Sequence, residues 1–183
     1  MGQGYRAIIL ASQQEQKEII RTWVEPHEYE NGYKLMEHSY IGNNFVQALE
    51  YLICPQGMFY KSRLVWAGDY ADNEADHDVN LYMLASDKMN EGKVSRPSDY
   101  DVSSYRYIVN HTKKQYVDKN HNLKEGWYNI HPLPLLTAEG NGRGGGDYRG
   151  NNDNLVGTWA RNVISVEQEC PVGYSELICE FSE

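Results

Sequence analysis

The twelve residues NNFVQALEYLIC, positions 43–54, decide the fold class. Phe45, Leu49, Leu52 and Ile53 recur at three- and four-residue steps, which places them along one face of a helix. Asn43 or Asn44 supplies a side-chain oxygen for the first free backbone amides, and Pro55 and Gly57 end the pattern. Only one other segment carries a helical pattern, at residues 80–89, where Leu81 and Leu84 stand three apart. One principal helix and one short one are too few for a bundle.

The flanking sequence reads as strands. Residues 5–11 (YRAIILA) and 18–24 (EIIRTWV) are short apolar runs separated by a polar break, the layout of an antiparallel hairpin. Residues 25–44 form a loop punctuated by Pro26, Asn31 and Gly32, with one helical turn at 34–39. Strand character returns at 62–67 (SRLVWA), closed by Gly68, and at 105–110 and 115–118, which make a second hairpin. Gly92, Pro97 and several serine and aspartate residues mark 90–104 as a linker within the domain. An apolar segment at 127–136 leads into a glycine-rich stretch. Residues 156–167 and 174–181 alternate as strands, with Pro171 and Gly173 in the turn between them. The expectation is a single α+β domain over residues 1–183, with a mainly antiparallel sheet and one principal helix packed on it.

Composition narrows the function classes. A length of 183 residues suits one ordinary core, and 15 tyrosines favour strands. The net charge of −9 argues against a surface that is basic throughout, as a general nucleic-acid coat would be. Cys54, Cys170 and Cys179 form no C-x-x-C pair, so neither a disulfide framework nor a zinc knuckle is indicated and a cytoplasmic location is expected. No run of about 18 apolar residues crosses a membrane.

Three stretches concentrate chemistry. Six of the sixteen glycines lie between Gly140 and Gly150. Gly140, Gly142 and Gly145 satisfy G-x-G-x-x-G, but the following DYRGNNDN opens no helix to hold a pyrophosphate. A nest of amides flanked by Arg143 and Arg149 remains, fit for a nucleotide or other small anion, or for display of Arg143, Asp147, Tyr148 and Arg149 to a macromolecule. Asp69, Asp72, Glu74, Asp76 and Asp78 place five carboxylates in ten positions. An EF-hand starting at Asp72 fails at His77, where glycine is required, and at Met83, where glutamate is required. The loop is either solvated or offered to a basic partner. Arg106, Lys113, Lys114, Lys119 and Lys124 form a basic stretch with Tyr105, Tyr107 and Tyr116 interleaved, a composition that contacts phosphates and stacks on bases. No H-E-x-x-H, P-loop or G-x-S-x-G motif occurs, so no catalytic set, metal or cofactor is expected.

Residues 34–46 (KLMEHSYIGNNFV), 65–72 (VWAGDYAD), 110–118 (NHTKKQYVD) and 156–161 (VGTWAR) together resemble a group of small proteins carried by phages, plasmids and chromosomes of gut Firmicutes. That group includes a type II anti-CRISPR, an inhibitor of the guide-dependent nuclease Cas9. The resemblance implies a non-enzymatic inhibitor whose partner is a basic host protein such as Cas9, with DNA or guide RNA as a further contact.

Overall fold

The computed structural model describes residues 2–12, 18–85, 101, 103–125, 128–141 and 145–183. Among the described residues, eight strands share one sheet: β1 (Tyr5–Leu10), β2 (Ile20–Val24), β3 (Ser62–Gly68), β4 (Tyr107–Asn110), β5 (Gln115–Asp118), β6 (Ala138–Glu139), β7 (Asn162–Glu167) and β8 (Ser175–Glu176). Their order is β2-β1-β3-β7-β4-β5-β8, with β6 beside β3. The long pairings are antiparallel, and only the two-residue strands β6 and β8 run parallel to their neighbours. The α+β expectation with a mainly antiparallel sheet therefore holds.

The principal helix is α2 (Asn44–Ile53), which follows the single turn α1 (Leu35–His38). Asn43 is its cap: the side-chain oxygen accepts from Phe45 N at 2.9 Å and Val46 N at 3.2 Å, satisfying amides that have no partner inside the helix. Phe45, Leu49, Leu52 and Ile53 are buried in one cluster with Ile9 of β1, Leu64 and Trp66 of β3, Ile108 of β4 and Ile164 and Val166 of β7. Burying each such side chain contributes about 1.5–3 kcal/mol.

The opposite face of the sheet is covered as well over β1 and β3. Ile8, Leu10, Val65 and Ala67 pack with Trp23 and with Leu81 and Ala85, at and just after α3 (Leu81–Leu84). Burial on both faces explains why Ile8-Ile-Leu10 is a continuous apolar run and not an alternation. The remainder of the short-helix expectation at 80–89, and nearly all of the expected linker at 90–104, lies outside the described residues.

Three segments differ from expectation. The apolar run before the glycines forms a buried single-turn helix, α4 (Pro132–Leu136). Its two prolines sit in the first turn, where a backbone N–H would have had no helical acceptor, and His131 caps it by accepting from Leu133 N at 3.1 Å. Residues 156–161 are turns, not strand. There Gly157 N, Trp159 N and Arg161 N donate to Leu135, Leu136 and Leu64 carbonyls, and β7 begins only at Asn162. Of 174–181 only Ser175–Glu176 pairs, while Cys179 and Phe181 turn into the core.

Candidate functional site

The acidic loop after β3 is built from its own polar groups. Asp69 Oδ1 accepts from Gly4 N at 2.9 Å, and Asn80 Nδ2 donates to the Asp69 and Ala71 carbonyls at 2.9 and 3.1 Å. Glu74 N donates to Val79 O, and His77 N to Glu74 O. The Glu74 carboxylate takes both terminal nitrogens of Arg161. Arg161 also grips Glu139 and Glu18, and Arg63 forks onto Glu18 at 2.7 and 2.8 Å. These bonds hold the Glu18 carboxyl below the ordinary carboxylate range, the Arg63 hydrogen bond first among the causes. Asp69 and Glu74 are thus anchors. Asp72, Asp76 and Asp78 are exposed and make no hydrogen bond or ion pair among the described residues.

The basic stretch does not form a single stripe. Lys119 is 7% exposed, with Nζ on Glu50 of α2, which is 2% exposed. Taking two charges out of water is tolerated here because Glu50 also has His131 Nε2 at 3.1 Å. Arg106 is forked onto Asp118, which that hydrogen bond holds below the ordinary carboxylate range, so its charge is compensated. Tyr105 is buried and donates to Gln56 at 2.6 Å. Lys113, Lys114 and Lys124 remain on the surface, with Lys113 Nζ bonded to Thr158 O at 2.7 Å. Tyr107 and Tyr116 meet edge to face at 5.8 Å.

In the glycine stretch, Asp147 and Tyr148 serve the fold. Asp147 Oδ1 accepts from Met36 N at 3.0 Å in the first turn of α1. Tyr148 is 3% exposed and packs on Phe181, its hydroxyl donates to Asn151 O, and burial pushes its phenol up to about 12. Gly146 has φ +57°, and a Cβ there would meet the Tyr5 ring at 2.7 Å, so this glycine answers to a close backbone approach. Arg149 is exposed and donates to the Gly146 and Tyr148 carbonyls at 2.8 and 2.7 Å. It borders a cavity of about 240 Å³ shared with Asn141, Gly145, Asp153 and Val156. Arg143 lies outside the described residues.

Two polar networks have no sequence signature. His111 Nε2 lies 2.7 Å from Ser165 Oγ, the spacing of a nucleophile and its base. The direction is reversed. Ser165 donates to Glu167 at 2.7 Å, so the His111 Nε2–H donates to the serine and Nδ1 accepts from Tyr174 OH at 3.0 Å. Burial holds His111 below its ordinary range, and Ser165 is fully buried, which leaves a structural relay and not a reactive hydroxyl. His38 is equally committed: it accepts from Trp66 Nε1 at 2.9 Å and donates to Gly32 O at 3.0 Å, with burial lowering it to about 4.

Among the described residues one group of metal-ligating side chains converges, Asp118, His121 and Glu176. No helix among the described residues is long and apolar enough to cross a membrane. Neither a protein-family model, nor a curated protein, nor a solved structure matches the chain.

Proposed function

We propose that the chain is a non-enzymatic inhibitor from a mobile element, which binds a basic surface of a host nucleic-acid defence nuclease of the Cas9 type. The observation that supports this reading is the acidic loop. Anchored through Asp69, Glu74 and Asn80, it presents Asp72, Asp76 and Asp78 outward without compensating cations among the described residues. A loop ordered before binding loses less conformational freedom on association, and carboxylates in such an array compete for arginines and lysines that otherwise hold phosphate. Lys113, Lys114 and Lys124, on the other charged surface, suit contact with guide RNA or target DNA. The reading requires a cytoplasmic protein.

The test is cleavage of target DNA by guide-loaded nucleases in the presence of the protein. Inhibition of at least one orthologue, abolished by replacing Asp72, Asp76 and Asp78 together with asparagine, is the expected result. Undiminished cleavage by every orthologue refutes the proposal. A second reading, an enzyme or sensor binding a nucleotide or small anion at the glycine-rich loop 140–150, is favoured by the cavity beside Arg149. It predicts a nucleotide-dependent rise in melting temperature that Arg149→Ala removes.

A further inference from the structure

We infer that Asp118, His121 and Glu176 form a binding site for a divalent transition-metal ion, with Zn2+ the ion whose ligand preferences fit it. Asp118 ends β5, His121 lies in the 3-10 turn Lys119–Asn122 that follows, and Glu176 belongs to β8, paired in parallel with β5. Two stretches distant in sequence therefore bring an imidazole and two carboxylates to one point, with all ligand atoms within 4.8 Å of one another. His121 Nδ1 already stands 3.2 Å from Glu176 Oε1. A tetrahedral ion with bonds of about 2.1 Å needs ligand separations of about 3.4 Å. The side chains of His121 and Glu176 are 39% and 31% exposed, so they are free to close the remaining gap and an ion can reach them.

The surroundings support ligation. Asp118 is oriented by the Arg106 fork and by Asn120 N at 3.0 Å, the hydrogen bonding that ligating carboxylates commonly show. Asn122 pins the turn from below, donating to Cys179 O at 2.7 Å and accepting from Phe181 N at 3.1 Å. With His121 neutral, the two carboxylates and Arg106 leave a net charge of −1, which attracts a cation. On binding, Nδ1 of His121 gives its lone pair to the metal with the ring proton on Nε2. Three protein ligands leave a fourth position for water, and the imidazole disfavours Ca2+ and Mg2+, which prefer all-oxygen shells.

The experiment is titration of untagged full-length protein with Zn2+ against a chromophoric chelator, with Co2+ absorption as a second readout. Cys170 is an exposed free thiol, so Cys170→Ser serves as the control for adventitious thiol binding. One equivalent of Zn2+ is expected, retained in Cys170→Ser and in excess Mg2+, and weakened about tenfold or more in His121→Ala and in Glu176→Gln. Both variants alter exposed side chains, and far-ultraviolet circular dichroism checks their fold. Absence of stoichiometric binding, binding undiminished in both variants, or binding lost with Cys170 alone each overturns the assignment.

Discussion

Acid should unfold this protein partly through His38, and the size of that effect follows from the geometry. The imidazole is fully buried between the Trp66 indole N–H and the Gly32 carbonyl, so its one proton and one lone pair are both used in the neutral form. Burial lowers it to about 4, against about 6.5 in an unfolded chain. Between those values the unfolded chain binds a proton that the folded protein refuses, so stability is complete above about pH 6.5 and falls as pH drops toward 4. The gap corresponds to about 3 kcal/mol, accumulating at up to about 1.36 kcal/mol per pH unit. His111 and His131 are also lowered by burial, and Glu50 is lowered by His131 and Lys119 against the opposing effect of its burial. All three add loss of the same sign, so the assay must be a difference. Urea unfolding from pH 7.5 to 4 is compared between the wild type and His38→Gln, whose amide keeps one acceptor and one donor. The variant should show a shallower fall by up to one proton's worth of slope. Equal slopes across the window, with both proteins folded at pH 7, refute the reasoning. Should the variant not fold, an NMR titration of His38 in the wild type is decisive, since a midpoint near 6.5 contradicts the buried neutral ring.

Lys119→Ala leaves Glu50 ionised and buried beside a neutral imidazole, and should cost about 3–5 kcal/mol in chemical denaturation; a loss under about 1 kcal/mol would mean that water reaches the pair. Gly146→Ala should destabilise by about 1–3 kcal/mol, because the new methyl meets the Tyr5 ring at a position with φ +57°. Gly173→Ala, at φ +80° with open space around it, should lose only the conformational part, about 1–2 kcal/mol, measured alongside. Replacing Lys113, Lys114 and Lys124 by alanine should weaken any RNA or DNA binding evenly across sequences and flatten its salt dependence, read by fluorescence anisotropy.

The elements legible in the sequence are those whose cause is local. The spacing from Phe45 to Ile53 and the Asn43 cap lie within one window, and they specify α2 almost to the residue. The 105–118 hairpin is similarly local. What was hidden depends on partners distant in the chain. Nothing around Lys119 signals that its charge is matched by Glu50, one of the polar residues in a helix read mainly for its apolar face. In sequence Glu74 is one more carboxylate of an acidic run, and only the fold brings Arg161 beside it, with Glu18 and Glu139 arriving from two further segments. Gly146 was conspicuous in sequence, but the Tyr5 ring that requires it was not. Proline content masked α4, because two prolines in five residues suggest extended chain unless both fall in a first turn.

The strand order has a kinetic consequence. The seam between β3 and β7 pairs Ser62 with Ile164, more than half the chain apart, and it joins the β2-β1-β3 part of the sheet to the β7-β4-β5 part. Each part contains a hairpin that can form early from near neighbours, yet their union must close a very large loop before it gains any burial. Such non-local pairing slows the search for the native state, and it leaves the seam edges of β3 and β7 unpaired while the chain is still incomplete. A ribosome-bound nascent chain lacking β7 should therefore hold β1, β2 and β3 without their neighbour, making this seam the step at which chaperones would matter most.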